Sequence, residues 1–226
     1  GDFNNDGRPD ILAGNLGRNN FYQASAERPL SLLAKDFDEN GSIDPVLFAY
    51  FKGKEGQYAQ YPVAFWGDVN KQSPLFRGKF NFYAEYGQAD AQSLFTDEER
   101  AGALQYTMNY DRSVLFLNTG DIDFVAKELP IEAQFSPIND ILIEDLNNDG
   151  NLDALVIGNN YGNEVFIGHL DALNGLVLLG DGTGQFNVMP AAKSGFLVEY
   201  DAKYLETVKT ADGSILYLGT QNRDRL

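Results

Sequence analysis

Residues 144–159 read EDLNNDGNLDALVIGN. Acidic or amide side chains stand at alternate positions, Asp145, Asn147 and Asp149, followed by Gly150 and then Asp153. An apolar run, Ile141 to Ile143, leads in, and a second, Leu155 to Ile157, leads out. Short runs of β-branched and aliphatic residues on either side of a cluster of Asp, Asn and Gly predict strand, loop, strand. The same design occurs twice more, in residues 1–15 (GDFNNDGRPDILAGN) and 35–48 (KDFDENGSIDPVLF). Each copy has Asp first, Asp or Asn third and fifth, Gly sixth and Asp ninth, so the chain is read as a repeat protein.

Alternate residues of a tight loop aim their side chains at one point, and a hard cation such as Ca²⁺ takes about six to eight oxygens there. The spacing assigns Asp2, Asn4, Asp6 and Asp10 as ligands in the first loop, with the Arg8 carbonyl. In the second it assigns Asp36, Asp38, Asn40 and Asp44 with the Ser42 carbonyl. In the third it assigns Asp145, Asn147, Asp149 and Asp153 with the Asn151 carbonyl. Up to three Ca²⁺ ions are expected. Gly7, Gly41 and Gly150 stand where the chain must turn sharply, at an expected positive φ. Asp, Asn and Gly also make plain turns, but three copies with the same positions filled favour the metal. The loops carry ten acids between them, and carboxylates packed together without a counter-ion destabilise a fold.

Helical calcium modules such as the EF-hand begin similarly but need an acid at the twelfth loop position and flanking helices. The twelfth positions here are Ala13, Leu47 and Val156, all apolar, and the flanks read as strands. At these residues the chain resembles the FG-GAP and VCBS repeat family, the calcium-loop repeats of integrin α-subunit heads and many exported bacterial proteins. The resemblance extends to the tails at residues 13–15 and 157–159, and to residues 117–124 (LNTGDIDF) and 179–186 (LGDGTGQF). It implies an all-β fold of four-stranded propeller blades, three to four of them visible, as part of a seven-bladed propeller. It further implies structural calcium and a secreted, periplasmic or cell-surface setting. The implied roles are ligand binding, adhesion or scaffolding. The literal Phe-Gly and Gly-Ala-Pro signatures of integrins are missing, so no integrin-specific role carries over.

The loops are unevenly spaced, with 34 residues from Asp2 to Asp36 and 109 from Asp36 to Asp145. The expectation is a single propeller segment over residues 1–226, interrupted by an insertion at 52–110 with a helical stretch near 88–108. There Thr96 and Glu99 form a capping box. Further strands are expected at 112–117, 176–179 and 215–218. Blades take roughly 40 to 60 residues and the chain opens inside its first loop, so a piece of a longer protein is expected.

The formal charge of −16, from 33 acids against 17 Lys and Arg, argues against nucleic acid or an anionic membrane as partner. Three Ca²⁺ would reduce it to −10. No apolar run is long enough to span a bilayer. The absence of cysteine excludes disulfides and thiolate chemistry. His169, the only histidine, cannot build a typical zinc site alone. Residues 48–110 hold 15 of the 29 aromatics, including the only Trp. That density reads first as a small separate core, and otherwise as a sugar- or protein-binding surface with Tyr61 and Trp66 as ligand contacts. The reading is therefore of a non-catalytic calcium-braced binding module. The alternative is part of a polysaccharide-degrading, lyase-like propeller enzyme, in which Lys71, Arg77, Lys79 and Glu85 would converge with Trp66. A third reading is a scaffold that only spaces other domains.

Overall fold

A computed structural model describes residues 1–222. The chain is mostly β, 36% strand against 14% helix, and its sheets are antiparallel and none closes on itself. In chain order the first strands are β1 (Ile11–Ala13), β2 (Leu30–Lys35), β3 (Asp44–Lys52), β4 (Tyr58–Pro62) and β5 (Leu104–Met108). Next come β6 (Val114–Gly120), β7 (Asp123–Glu128), β8 (Ile138–Glu144) and β9 (Asp153–Gly158). The last are β10 (Leu176–Gly180), β11 (Phe186–Met189), β12 (Ala202–Lys209) and β13 (Ile215–Gln221). Two compact units form, one from residues 1–21 together with residues 111–222, the other from residues 22–110.

The first unit holds three sheets, ordered β1-β6-β7, β11-β10-β9-β8 and β12-β13. Strand β9, with sequence DALVIG, is buried at every position because both of its faces are covered. Side chains alternate across a strand. Thus Ala154 and Val156 join Leu178, Phe3, Leu115 and Leu117 in one core. Leu155 and Ile157 instead join Val177, Ala202 and Leu205 in another. The four-stranded sheet therefore packs between the other two. Gly158 is required at the end of β9, since a Cβ there would lie 1.8 Å from the Pro137 carbonyl oxygen.

The β1-β6-β7 sheet repeats β9-β10-β11 in register. Ile11 pairs with Phe116 as Ala154 pairs with Leu178, and Asn118 faces Phe124 as Gly180 faces Phe186. The difference is at the edge, because β9 is flanked by β8 whereas β1 ends its sheet. Accordingly Ile11 is 51% exposed where its counterpart Ala154 is 0% exposed.

The second unit is one sheet, ordered β4-β3-β2-β5, with helices over one face. The helices are α1 (Trp66–Gln72), α2 (Tyr83–Tyr86), α3 (Ala91–Leu94) and α4 (Asp97–Arg100), with a 3₁₀ turn at Pro74–Gly78. Val46 and Phe48 from the sheet meet Val69, Phe76, Tyr86, Leu94 and Phe95. Phe37 stacks on Phe95 with centroids 4.3 Å apart. The aromatic density of this region thus builds a core. On the other face Leu30 and Ala49 pack with Phe51 and Met108.

Two expectations shift. The helical stretch placed at 88–108 begins instead at Trp66 and ends at Arg100, and Leu104–Met108 is a strand paired with β2. Gly102, at φ 76°, breaks the chain after α4, and the alternating sequence LQYTM then suits a strand. The Thr96–Glu99 capping box is present, with both reciprocal hydrogen bonds formed. The strands expected near 112–117, 176–179 and 215–218 appear as β6, β10 and β13. A fifth short helix, α5, spans Ala191–Ser194.

Candidate metal centre

Each Asp-rich loop joins or opens onto strands of one sheet: β1 follows the first, β2 and β3 flank the second, and β8 and β9 flank the third. Their internal bonding is the same. In the first, Asp2 accepts from the amides of Asp6 at 3.2 Å and Gly7 at 2.8 Å. In the second, Asp36 accepts from Asn40 at 2.9 Å and Gly41 at 2.7 Å. In the third, Asp145 accepts from Asp149 at 3.1 Å and Gly150 at 2.9 Å. The fifth side chain then takes the amide of the seventh residue, Asp6 from Arg8, Asn40 from Ser42 and Asp149 from Asn151. This pins the seventh residues of all three loops, Arg8, Ser42 and Asn151, beside their fifth-position partners.

The ninth-position aspartates are the most buried, with Asp10 4%, Asp44 1% and Asp153 0% exposed. Each accepts the amide of the second residue of its loop, Phe3, Phe37 or Leu146, and so ties the loop's entrance to its exit. Gly7, Gly41 and Gly150 have φ of 83°, 90° and 86°, as the sharp turn requires. Asn5, Glu39 and Asn148 also sit at positive φ, between 56° and 59°. Sequence reasoning overlooked that fourth position, although Asn in two of three copies is a usable signal for left-handed backbone.

The loops differ in what occupies their oxygens. Asp10 and Asp153 use the second carboxylate oxygen to accept an amide from the neighbouring strand, Asn118 at 2.9 Å or Gly180 at 2.8 Å. Strand β4 stops at Pro62, and among the described residues Asp44 accepts only from Phe37. Its carboxyl is pushed up, first by burial and then by the charges of Asp38 and Asp36, against the Phe37 hydrogen bond. One carboxylate oxygen from each of Asp36, Asp38 and Asp44 lies within 4.8 Å of the others. Asp38 Oδ1 is shielded from solvent and has no hydrogen-bond partner.

In the first loop the Arg8 guanidinium already bonds Asp6 at 2.6 Å. The Arg8 amide, together with Asn4 and that guanidinium, holds the Asp6 carboxyl below its ordinary range. In the third, the amide of Asn151 and the side chain of Asn147 do the same for Asp149. First and third loops touch through Asn5 Nδ2, which donates to Asn151 Oδ1 at 3.0 Å. An ionised carboxylate offers about four acceptor positions, so these hydrogen bonds orient the oxygens without exhausting them. The donor set is all oxygen and rich in carboxylate, which fits Ca²⁺ and not a soft metal.

The other singled-out residues are scattered. Trp66 packs edge-on against Tyr83, with centroids 4.8 Å apart, while Tyr61 lines a different cavity of about 440 Å³ with Lys52, Gly53, Lys54 and Gln57. Lys71 pairs with Asp68, Lys79 pairs with Glu99, and Glu85 accepts the Asn81 and Phe82 amides. His169 stacks on Tyr161 at 4.0 Å. Among the described residues no helix is long and apolar enough to cross a membrane. Comparison of the chain with family models, with curated proteins and with solved structures returned no match.

Proposed function

We propose that the protein is a calcium-braced binding or adhesion module built from propeller-type blades, in which the ions are structural. The observation that carries this reading is the second loop. Three carboxylates of one short loop converge, one of their oxygens is buried without a partner, and burial disfavours the charge on Asp44. A divalent cation held by Asp36, Asp38, Asn40, Asp44 and the Ser42 carbonyl would relieve all three at once. The first and third loops share the backbone geometry of the second. They would take ions through Asp2, Asn4, Asp6 and Asp10 with the Arg8 carbonyl, and Asp145, Asn147, Asp149 and Asp153 with the Asn151 carbonyl. Support for blades comes from the register match between the β1-β6-β7 and β9-β10-β11 ladders and from face-to-face sheet stacking in the first unit.

A role in polysaccharide cleavage is the weaker reading, because Lys71, Lys79 and Glu85 are engaged in local bonds and do not gather on Trp66. A secreted or cell-surface setting suits such loops, since extracellular calcium fills sites of about 10⁻⁴ to 10⁻³ M. The partner would be an extracellular protein or carbohydrate. Calorimetry in EDTA and then in millimolar CaCl₂ tests the metal. Calcium should raise the melting temperature by several degrees and Mg²⁺ by much less. A melting curve indifferent to both would sink the proposal.

A further inference from the structure

Between β3 and β4 the second unit makes a tight hairpin. The Gly53 amide donates to the Gln57 carbonyl at 2.6 Å and the Gly56 amide to the Gly53 carbonyl at 2.9 Å, with Gly56 at φ 91°. Gly53 is the floor of a cradle. A Cβ there would lie 2.8 Å from both Tyr61 Oη and Gln57 Nε2, so a hydroxyl and an amide converge over a residue without a side chain. The end of α2 adds Gln88 to the same cavity. That helix is anchored by the Tyr86 hydroxyl, which donates to the Ala64 carbonyl at 2.8 Å.

The polar groups of this cavity can be reached and are unspent. Lys52, Lys54, Gln57 and Gln88 are exposed, and Tyr61 is half-buried. Among the described residues none of these five side chains makes a hydrogen bond or an ion pair. Water serves an exposed group, so no single one of them implies a ligand; their convergence on one concave space does. Two ammonium groups and one carboxylate, that of Glu55, leave the lining at +1 in a chain of formal charge −16. Such a local reversal of sign draws an anion to this spot. Phe51, Pro62 and the Tyr61 ring add an apolar wall, for which an inorganic anion has no use.

The geometry points to a binding site for an acidic sugar, a ring that carries a carboxylate and several hydroxyls. The ammonium groups of Lys52 and Lys54 attract the carboxylate. The amides of Gln57 and Gln88 and the Tyr61 hydroxyl each donate and accept, as sugar hydroxyls do. The apolar wall takes the C–H face of the ring. At a liquid share of about 30 Å³ per water, the cavity of about 440 Å³ accommodates about fifteen non-hydrogen atoms, the size of a single hexuronate. The assignment rests on the binding-module reading for its class of partner, an extracellular carbohydrate, and not on metal in the Asp-rich loops.

The test is NMR titration of the full chain, with ring-labelled tyrosine, by sodium glucuronate, glucose, sodium sulfate and triglutamate at matched ionic strength. It is run in millimolar CaCl₂ and again in EDTA. The resonance missing from Tyr61→Phe identifies Tyr61. Glucuronate should shift it saturably in both buffers, and at lower concentration than glucose. Gly53 lies outside the left-handed region, and its Cβ would meet only the free ends of Tyr61 and Gln57. Gly53→Ala should therefore leave the melting temperature nearly unchanged while pushing those two groups away. Losing their hydrogen bonds should weaken glucuronate about tenfold. Lys52→Gln combined with Lys54→Gln should bring glucuronate down to the level of glucose. Equal responses to glucuronate and sulfate in the unaltered chain would overturn the assignment to a sugar. Tighter binding of triglutamate would give the site to an acidic protein instead, and an undiminished glucuronate response in Gly53→Ala would place the sugar elsewhere. A melting curve indifferent to calcium would remove the metal and leave the sugar titration to be judged by itself.

Discussion

At the scale of single residues, two glycines near the third loop show how unlike the reasons for glycine are. Gly150 has φ 86°, yet a Cβ there would meet nothing within 4 Å. Gly150→Ala therefore costs backbone strain alone, about 1 to 2 kcal/mol. Gly158 has no such φ, but its Cβ would fall 1.8 Å from the Pro137 carbonyl oxygen, so Gly158→Ala must displace a strand. Calorimetry should find Gly150→Ala lowering the melting temperature by a few degrees, at about 2 to 4 °C per kcal/mol for a chain of this size, and Gly158→Ala lowering it further. Only Gly150→Ala should also weaken calcium stabilisation; the reverse ranking would contradict the assigned causes. The first of these glycines is legible in the sequence, because loop position six is Gly in all three copies. The close approach at Gly158 is not, since nothing local to residues 157–159 announces where Pro137 will lie.

Between elements, the ties that matter run from one sheet to the next. Tyr217 on β13 donates to Glu144 at the end of β8 at 2.6 Å. That hydrogen bond, aided by burial and by the carboxylate's charge, pushes the phenol up to about 12. A folded value raised above the unfolded one means that the tie adds stability below about pH 10 and loses it as pH rises through 12. In Glu144→Gln the phenol should return toward its ordinary value of 10.0, read by NMR of ring-labelled tyrosine. A Tyr217 titration unmoved by the change would show that the bond does not form in solution. Strand identities were largely readable, because β6, β9 and β10 are continuous apolar runs between turn residues. The displaced helices were not, for their sequences carry aromatic spacing that fits either period. What settles α1, the 3₁₀ turn, α2 and α3 is burial of Val69, Phe76, Tyr86 and Leu94 with Val46 and Phe48 of β3.

The whole molecule is one chain that folds as two compact units, and its connectivity predicts how they can be parted. Residues 22–110 leave the first unit after Phe21 and return at Asp111. Those two points are held together from inside the first unit: the Gly17 amide donates to the Asp111 carbonyl at 2.7 Å, and Asn20 Nδ2 donates to Asp111 Oδ2 at 3.2 Å. Strand β1 pairs with β6 across the same junction. A short Gly-Ser bridge from Phe21 to Asp111 therefore need span little distance, and shortening that loop lowers its closure entropy. The bridged chain should unfold cooperatively and retain the first and third loops, so that calcium titration reports at most two sites. Residues 22–110 expressed alone should keep the sheet, the helical cover and the second loop. A bridged chain that shows no cooperative transition by circular dichroism would mean that the first unit's core depends on the second, contrary to the segregation of their buried side chains.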